Sequence, residues 1–193
     1  MSYSIGVNMM ISLVTTIEHS LPDDFCEQLI SKFEKDDRKH IGEIGSRNTN
    51  QLIKRSTDLH ISSYPEWKDE DNRLHQYLND ALHQYVSLVS DYHLSALTNN
   101  ISDTGYQIQR TNPNEYYAWH HDQSDLQCRM LTYMWYLNTV KHGGYTEFHD
   151  GKKVYPERGK LLLFPATWEY VHRGFPPCYR SKYVCIGWTL FSN

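Results

Sequence analysis

Two neighbouring stretches decide how the chain reads: Tyr116-Tyr117-Ala118-Trp119-His120-His121-Asp122 and, just beyond it, Cys128-Arg129-Met130-Leu131-Thr132-Tyr133-Met134-Trp135-Tyr136-Leu137-Asn138. Both are rich in aromatic residues and free of glycine and proline, which is the composition of a strand. Side chains alternate along a strand, so Thr132, Met134 and Tyr136 are expected on one face. Working outward, similar short runs recur at Gly105–Thr111, Thr146–His149, Lys152–Tyr155, Lys160–Phe164, Tyr170–His172 and Tyr183–Phe191. The gaps hold turn formers: Asn112-Pro113-Asn114, Gly143-Gly144, Asp150-Gly151 and Pro176-Pro177. Many short strands divided by turns predict an antiparallel barrel or double sheet.

The N-terminal half follows a different period. Ser20-Leu21-Pro22-Asp23 reads as a helix start, with Ser20 as the N-cap, and Phe25, Leu29, Ile30 and Phe33 then share a helical face. A second helix is predicted from about Pro65 to Asp91, where Leu74, Leu78, Ala81, Leu82, Tyr85 and Val89 keep the helical rhythm. Between them lie a polar loop at Ile41–Lys54, a candidate lid, and a strand at Arg55–Ser62. The expected fold class is therefore α+β with a mainly β core: a double-stranded β-helix, or jelly roll, flanked by N-terminal helices. It is expected to form one domain over residues 1–193, with 1–103 largely helical support and 104–193 the β core.

Composition narrows the function. A net charge of −4 without a long basic run argues against a chain whose main task is neutralising phosphates, so nucleic acid is an unlikely partner. Met9–Val14 is too short an apolar run to span a membrane, and the chain is expected to be cytoplasmic. Cys26, Cys128, Cys178 and Cys185 show no zinc-site spacing and are expected as free thiols, although a Cys178–Cys185 pairing is conceivable. Oligomeric state is not legible.

The chemistry lies in the first stretch. In an extended strand His120 and Asp122 point to the same side while His121 points away. One imidazole and one carboxylate, joined by a distant second imidazole, form the facial triad that suits non-haem Fe(II) and leaves coordination positions open. His172, fifty residues past Asp122, can supply that imidazole. His142 and His149 lie nearer His120 but sit in or beside turns. Ten residues past His172, Lys182 would be a costly buried charge in a β core unless an anion met it. Arg180 is the rival, with a planar fork suited to a carboxylate.

Taken in order, these blocks resemble the Fe(II)/2-oxoglutarate-dependent dioxygenases, and within them the prolyl 4-hydroxylase-like branch. The resemblance runs through the two opening stretches, Gly143-Gly144-Tyr145-Thr146-Glu147-Phe148, Pro156-Glu157-Arg158-Gly159-Lys160-Leu161-Leu162-Leu163-Phe164-Pro165, His172-Arg173-Gly174 and Lys182-Tyr183-Val184-Cys185-Ile186-Gly187-Trp188. It is strong over residues 104–191. It implies His120, Asp122 and His172 as ligands of Fe(2+), and Lys182 as the partner of the distal carboxylate of 2-oxoglutarate, helped by Tyr136. Relatives commonly carry a cosubstrate-contacting tyrosine about ten residues before the first ligand histidine. Here Arg110 and Thr111 stand in that place, so Arg110, Tyr106 or Tyr116 becomes the candidate.

The implied activity is oxidative decarboxylation of 2-oxoglutarate to succinate and carbon dioxide, coupled to C–H hydroxylation, with dioxygen as co-reactant and ascorbate as a candidate auxiliary reductant. The branch points to peptidyl proline as substrate, with Tyr117, Trp119, Trp135 and Trp168 as candidate groove residues. A small-molecule substrate and a non-catalytic metal-binding or sensing protein are the alternatives.

Overall fold

The computed structural model describes residues 13–45, 48–89 and 102–190. Residues 90 and 91 of the predicted second helix, most of the Met9–Val14 run, part of the Ile41–Lys54 loop and Phe191 lie outside them. In chain order the elements are β1 (Thr15–Ile17), α1 (Asp23–Lys35), β2 (His40–Ile41), β3 (Thr57–His60), α2 (Lys68–Leu88), β4 (Ser102–Asp103), β5 (Gln107–Thr111), β6 (Tyr117–His120), β7 (Arg129–Tyr136), β8 (Thr146–Phe148), β9 (Lys153–Val154), β10 (Leu161–Pro165), β11 (His172–Gly174) and β12 (Lys182–Leu190).

The strands form two antiparallel sheets. The larger runs β1-β10-β7-β12-β5-β3-β2, with β4 on the end of β12, and the smaller runs β6-β11-β8-β9. The sheets are not closed into a barrel; this is the jelly-roll arrangement expected from the turn spacing. Strand β7 shows why the layers stack. Leu131, Tyr133 and Trp135 are buried with Phe25, Leu29, Phe33, Leu74, Leu78 and Leu82 of the two helices. The alternate residues Met134 and Tyr136 are buried with Phe148, Val154, Leu162, Phe164 and Val184, between the sheets. A strand with apolar side chains on both faces is stable only when covered on both.

Several local details differ from expectation. The cap of α1 is Pro22, and the Ser20 hydroxyl instead accepts a 3.0 Å bond from the Trp135 indole, tying the helix entry to β7. The second helix starts later than predicted, because Pro65–Trp67 forms a 3-10 turn before Lys68. Strand β11 begins at His172, where the predicted strand ended. The glycine at 187 is required by packing: a β-carbon there would collide with the Tyr133 phenol, which donates to the Gly105 carbonyl. All four cysteines are free, Cys185 buried and Cys178 exposed. Among the described residues no helix is long and apolar enough to cross a membrane.

Leu163 is fully buried on the helix side of β10, opposite Tyr133 of β7. Leu163→Ala is expected to lower stability by about 2–5 kcal/mol in a denaturant titration, the range for a large-to-small change in a packed core.

Candidate metal and cosubstrate site

His120 ends β6 and His172 opens β11, and the two are direct partners in the antiparallel register. That pairing brings the imidazole ring centres to 4.2 Å. Asp122 lies just past the end of β6, so its approach is set by the loop and by Thr132 of β7, which donates to Asp122 Oδ2 at 2.6 Å. Its Oδ1 is 3.7 Å from His120 Nε2 and its Oδ2 is 3.8 Å from His172 Nε2. One donor atom from each residue lies within 4.8 Å of the others, a spacing one cation can bridge.

The hydrogen bonds behind the imidazoles test the fit to a metal. His120 Nδ1 meets the Ala118 carbonyl at 2.8 Å and His172 Nδ1 meets the Tyr170 carbonyl at 2.9 Å. A carbonyl only accepts, so each Nδ1 carries a proton and each Nε2 is the nitrogen that faces the centre, the ring orientation a metal ligand needs. Burial, reinforced by the neighbouring His172, pushes His120 down to about 3, so it is neutral at ordinary pH. Burial works to raise Asp122, but His172, His120 and the Thr132 hydroxyl together hold it below the usual carboxylate range. Two imidazole nitrogens and one carboxylate are the donor set for Fe(II).

The site lies in a cleft of about 900 Å³ between the two sheets. Lys182, only 5% exposed, lines it together with Thr111, Met134, Thr146, Val184 and Ile186. Burial alone pushes the Lys182 ammonium down to about 8, and among the described residues no acidic side chain pairs with it. Holding an unpaired ammonium here costs roughly 3 kcal/mol, one pKa unit being about 1.4 kcal/mol. A carboxylate entering the cleft would offset that cost, so the lining fits an anionic cosubstrate.

The other predicted cosubstrate residues fall elsewhere. Arg180 is exposed in a bend before β12, because the strand begins only at Lys182 and its alternation does not extend back. Arg110 faces the helices, where it pairs with Glu34 at 2.8 Å. The register explains it: Thr111 is the strand partner of Lys182 and shares its side, so Arg110 must point the other way. Gln107, Gln109 and Thr111 line the cleft instead. Tyr136 is fully buried behind Thr146, whose hydroxyl it meets at 2.7 Å, and Thr146 is the one of the pair that lines the cleft. Tyr106 packs against Tyr133 and Trp135 on the helix side, while Tyr116 lies at the cleft and donates to the Leu52 carbonyl. His121 is exposed at the rim; His142 and His149 are exposed, edge-on to Tyr179 and Trp119.

Sequence reasoning missed two features. Tyr117 stacks on His120, with ring centres 3.4 Å apart and planes at 14°. A buried pair, Lys54 and Asp58, also reaches the cleft. Alternation along β5 was a signal for Gln107 and Gln109; nothing local marks Lys54.

The comparisons agree with this geometry. Residues 106–190 match the family model of the 2OG-Fe(II) oxygenase superfamily. No curated protein matches the chain significantly in sequence. Among solved structures, the viral collagen prolyl hydroxylase of Paramecium Bursaria Chlorella virus-1 in its 2OG complex is similar at 18% identity and a TM-score of 0.67, covering 94% of this chain and 97% of that one. A Pseudomonas putida prolyl-4-hydroxylase is similar at 18% identity and a TM-score of 0.66, covering 93% of each chain. A prolyl hydroxylase from Trichoplax adhaerens, in complex with a hypoxia inducible factor peptide fragment, is similar at 16% identity and a TM-score of 0.72, covering 92% of this chain and 83% of that one.

The state of Lys182 gives a pH prediction. The ammonium is charged below about 8 and loses its proton above it. Affinity for 2-oxoglutarate, measured by titration calorimetry, is therefore expected to be level below pH 8 and to fall up to tenfold per pH unit above it. Lys182→Arg stays charged and is expected to flatten the profile. The match of residues 106–190, the fold and the donor set agree with one another and with a 2-oxoglutarate-dependent dioxygenase of prolyl 4-hydroxylase-like fold.

Proposed function

We propose that this chain, acting as one dioxygenase domain, hydroxylates a proline residue within a peptide, with His120, Asp122 and His172 holding Fe(II) and Lys182 holding the distal carboxylate of 2-oxoglutarate. The carrying observation is that a buried ammonium with no carboxylate partner among the described residues and two imidazoles with Nε2 turned inward line one cleft. With Fe(II) and 2-oxoglutarate bound, the site supplies activation of dioxygen coupled to decarboxylation of 2-oxoglutarate, and delivers one oxygen atom to a C–H bond.

The protein's own residues do the rest. Thr132 fixes the rotation of the Asp122 carboxylate, and Arg129 donates to the Asp122 backbone carbonyl at 3.1 Å, so the loop carrying the third ligand is held on two sides. Met134, Val184 and Ile186 give the cleft apolar lining on the strand faces that carry Lys182. The peptide reading is supported by the size of the cleft and by the aromatic residues in its lining, Tyr64, Tyr116, Tyr117 and Trp188, flat faces of the kind against which a pyrrolidine ring packs. Trp119 and Trp168, expected in the groove, are exposed outside its lining, and Trp135 is in the helix-side core. The Trichoplax relative's peptide complex makes a proline-containing peptide the first substrate to test.

Succinate formation should require Fe(II) and 2-oxoglutarate and should rise on adding a proline-containing peptide. His172→Ala and Asp122→Ala are each expected to abolish it. An unchanged rate in either folded variant would remove the site assignment, and stimulation only by small molecules would remove the peptide reading. Thr132→Val should lower Fe(II) affinity ten- to a hundredfold with the fold intact, the scale for losing a ligand's supporting hydrogen bond.

A further inference from the structure

Strand β6, which carries His120, is four residues long and meets β11 with a shift in register between His172 and Gly174. Its other edge is held from outside the named strands. Arg55 donates its backbone N–H to the Tyr116 carbonyl at 2.8 Å, Ala118 donates to the Ile53 carbonyl at 2.8 Å, and Lys54 and Tyr117 form an antiparallel bridge. Residues 53–55 thus act as an extra strand of the smaller sheet.

What holds residues 53–55 to the larger sheet is a buried charge pair between near neighbours in the chain. Lys54 Nζ lies 2.6 Å from Asp58 Oδ2 in β3 of the larger sheet, with 4% and 0% of the two side chains exposed. Asp58 also accepts from Ser56 Oγ at 2.7 Å and from Gln107 Nε2 at 3.1 Å. Lys54 Nζ further donates to the Glu43 carbonyl and lies 5.3 Å from the centre of the Tyr117 ring. Tyr117 is the ring that stacks on His120. A contiguous path therefore runs from Asp58 through Lys54 and Tyr117 to His120.

A buried ion pair is a poor way to gain stability, since desolvation consumes most of its attraction and an apolar pair of similar volume often does as well. It does fix geometry, because an ammonium bonded to a carboxylate at this distance has few alternative positions. We infer that the Lys54–Asp58 pair is a positioning device for the metal site: it clamps residues 53–55 to β6 and the Tyr117 ring to His120, and so sets how well His120 binds metal. Neither residue touches the ligand atoms; both act through Tyr117 and the β6 backbone. The inference rests on the reading of His120, Asp122 and His172 as the metal triad.

The test measures Fe(II) affinity by anaerobic titration, alongside thermal unfolding of the metal-free protein. The double variant Lys54→Met/Asp58→Leu removes both charges without stranding either, so it is expected to melt near the wild type yet bind Fe(II) ten- to a hundredfold more weakly. Tyr117→Leu removes the stack and should reproduce the loss, whereas Tyr117→Phe preserves the ring and should bind as the wild type does. If the double variant fails to fold, the Tyr117 pair carries the comparison. Wild-type affinity in both the folded double variant and Tyr117→Leu would overturn the inference and leave the proposed function standing. Absence of stoichiometric metal in the wild type would overturn both.

Discussion

Strand β7 has no polar face to give to water. Its odd positions are packed under the two helices and its even positions face the smaller sheet, so neither layer can be removed without exposing large apolar side chains. Burial of this kind is worth about 25 cal/mol per Å², enough for a single doubly covered strand to organise its neighbours. The same alternation delivers the site. Met134 lines the cleft because it faces the smaller sheet, and Thr132, two residues earlier on that face, reaches Asp122. Core and site are thus consecutive positions of one strand.

The fold was legible because its signals are periodic. Helical spacing at Leu74–Val89 and turn residues at 112–114 and 150–151 are local patterns, and the structure follows them closely. The cosubstrate region was less legible because it depends on register between distant strands. Reading back ten residues from His120 pointed to Arg110; the pairing of Thr111 with Lys182 turns Arg110 outward, where Glu34 receives it. Arg180 failed for a related reason, since parity counts only inside a strand and β12 begins after it. Tyr136 has the expected face but sits one hydrogen bond behind the lining. The Lys54–Asp58 contact spans only four residues, but that spacing does not show that the pair is buried beside Tyr117, because its burial depends on β5 and β6 packing around it.

The triad is held in three independent ways, from three parts of the fold. Backbone carbonyls two residues back orient both imidazoles, a hydroxyl from β7 orients the carboxylate, and strand register sets the distance between the rings.

The unpaired Lys182 ammonium has an effect beyond catalysis. Among the described residues no carboxylate meets this charge, so an anion that binds beside it would stabilise the folded state. A ligand present at a hundred times its dissociation constant adds about 2.7 kcal/mol to the folded state. For a chain of this size that is a substantial share of total stability, typically 5–15 kcal/mol. With Lys182 holding 2-oxoglutarate as proposed, the lifetime of the protein against unfolding and proteolysis would depend on how much of that acid surrounds it, and a shortage would thin the enzyme's population as well as slow its turnover.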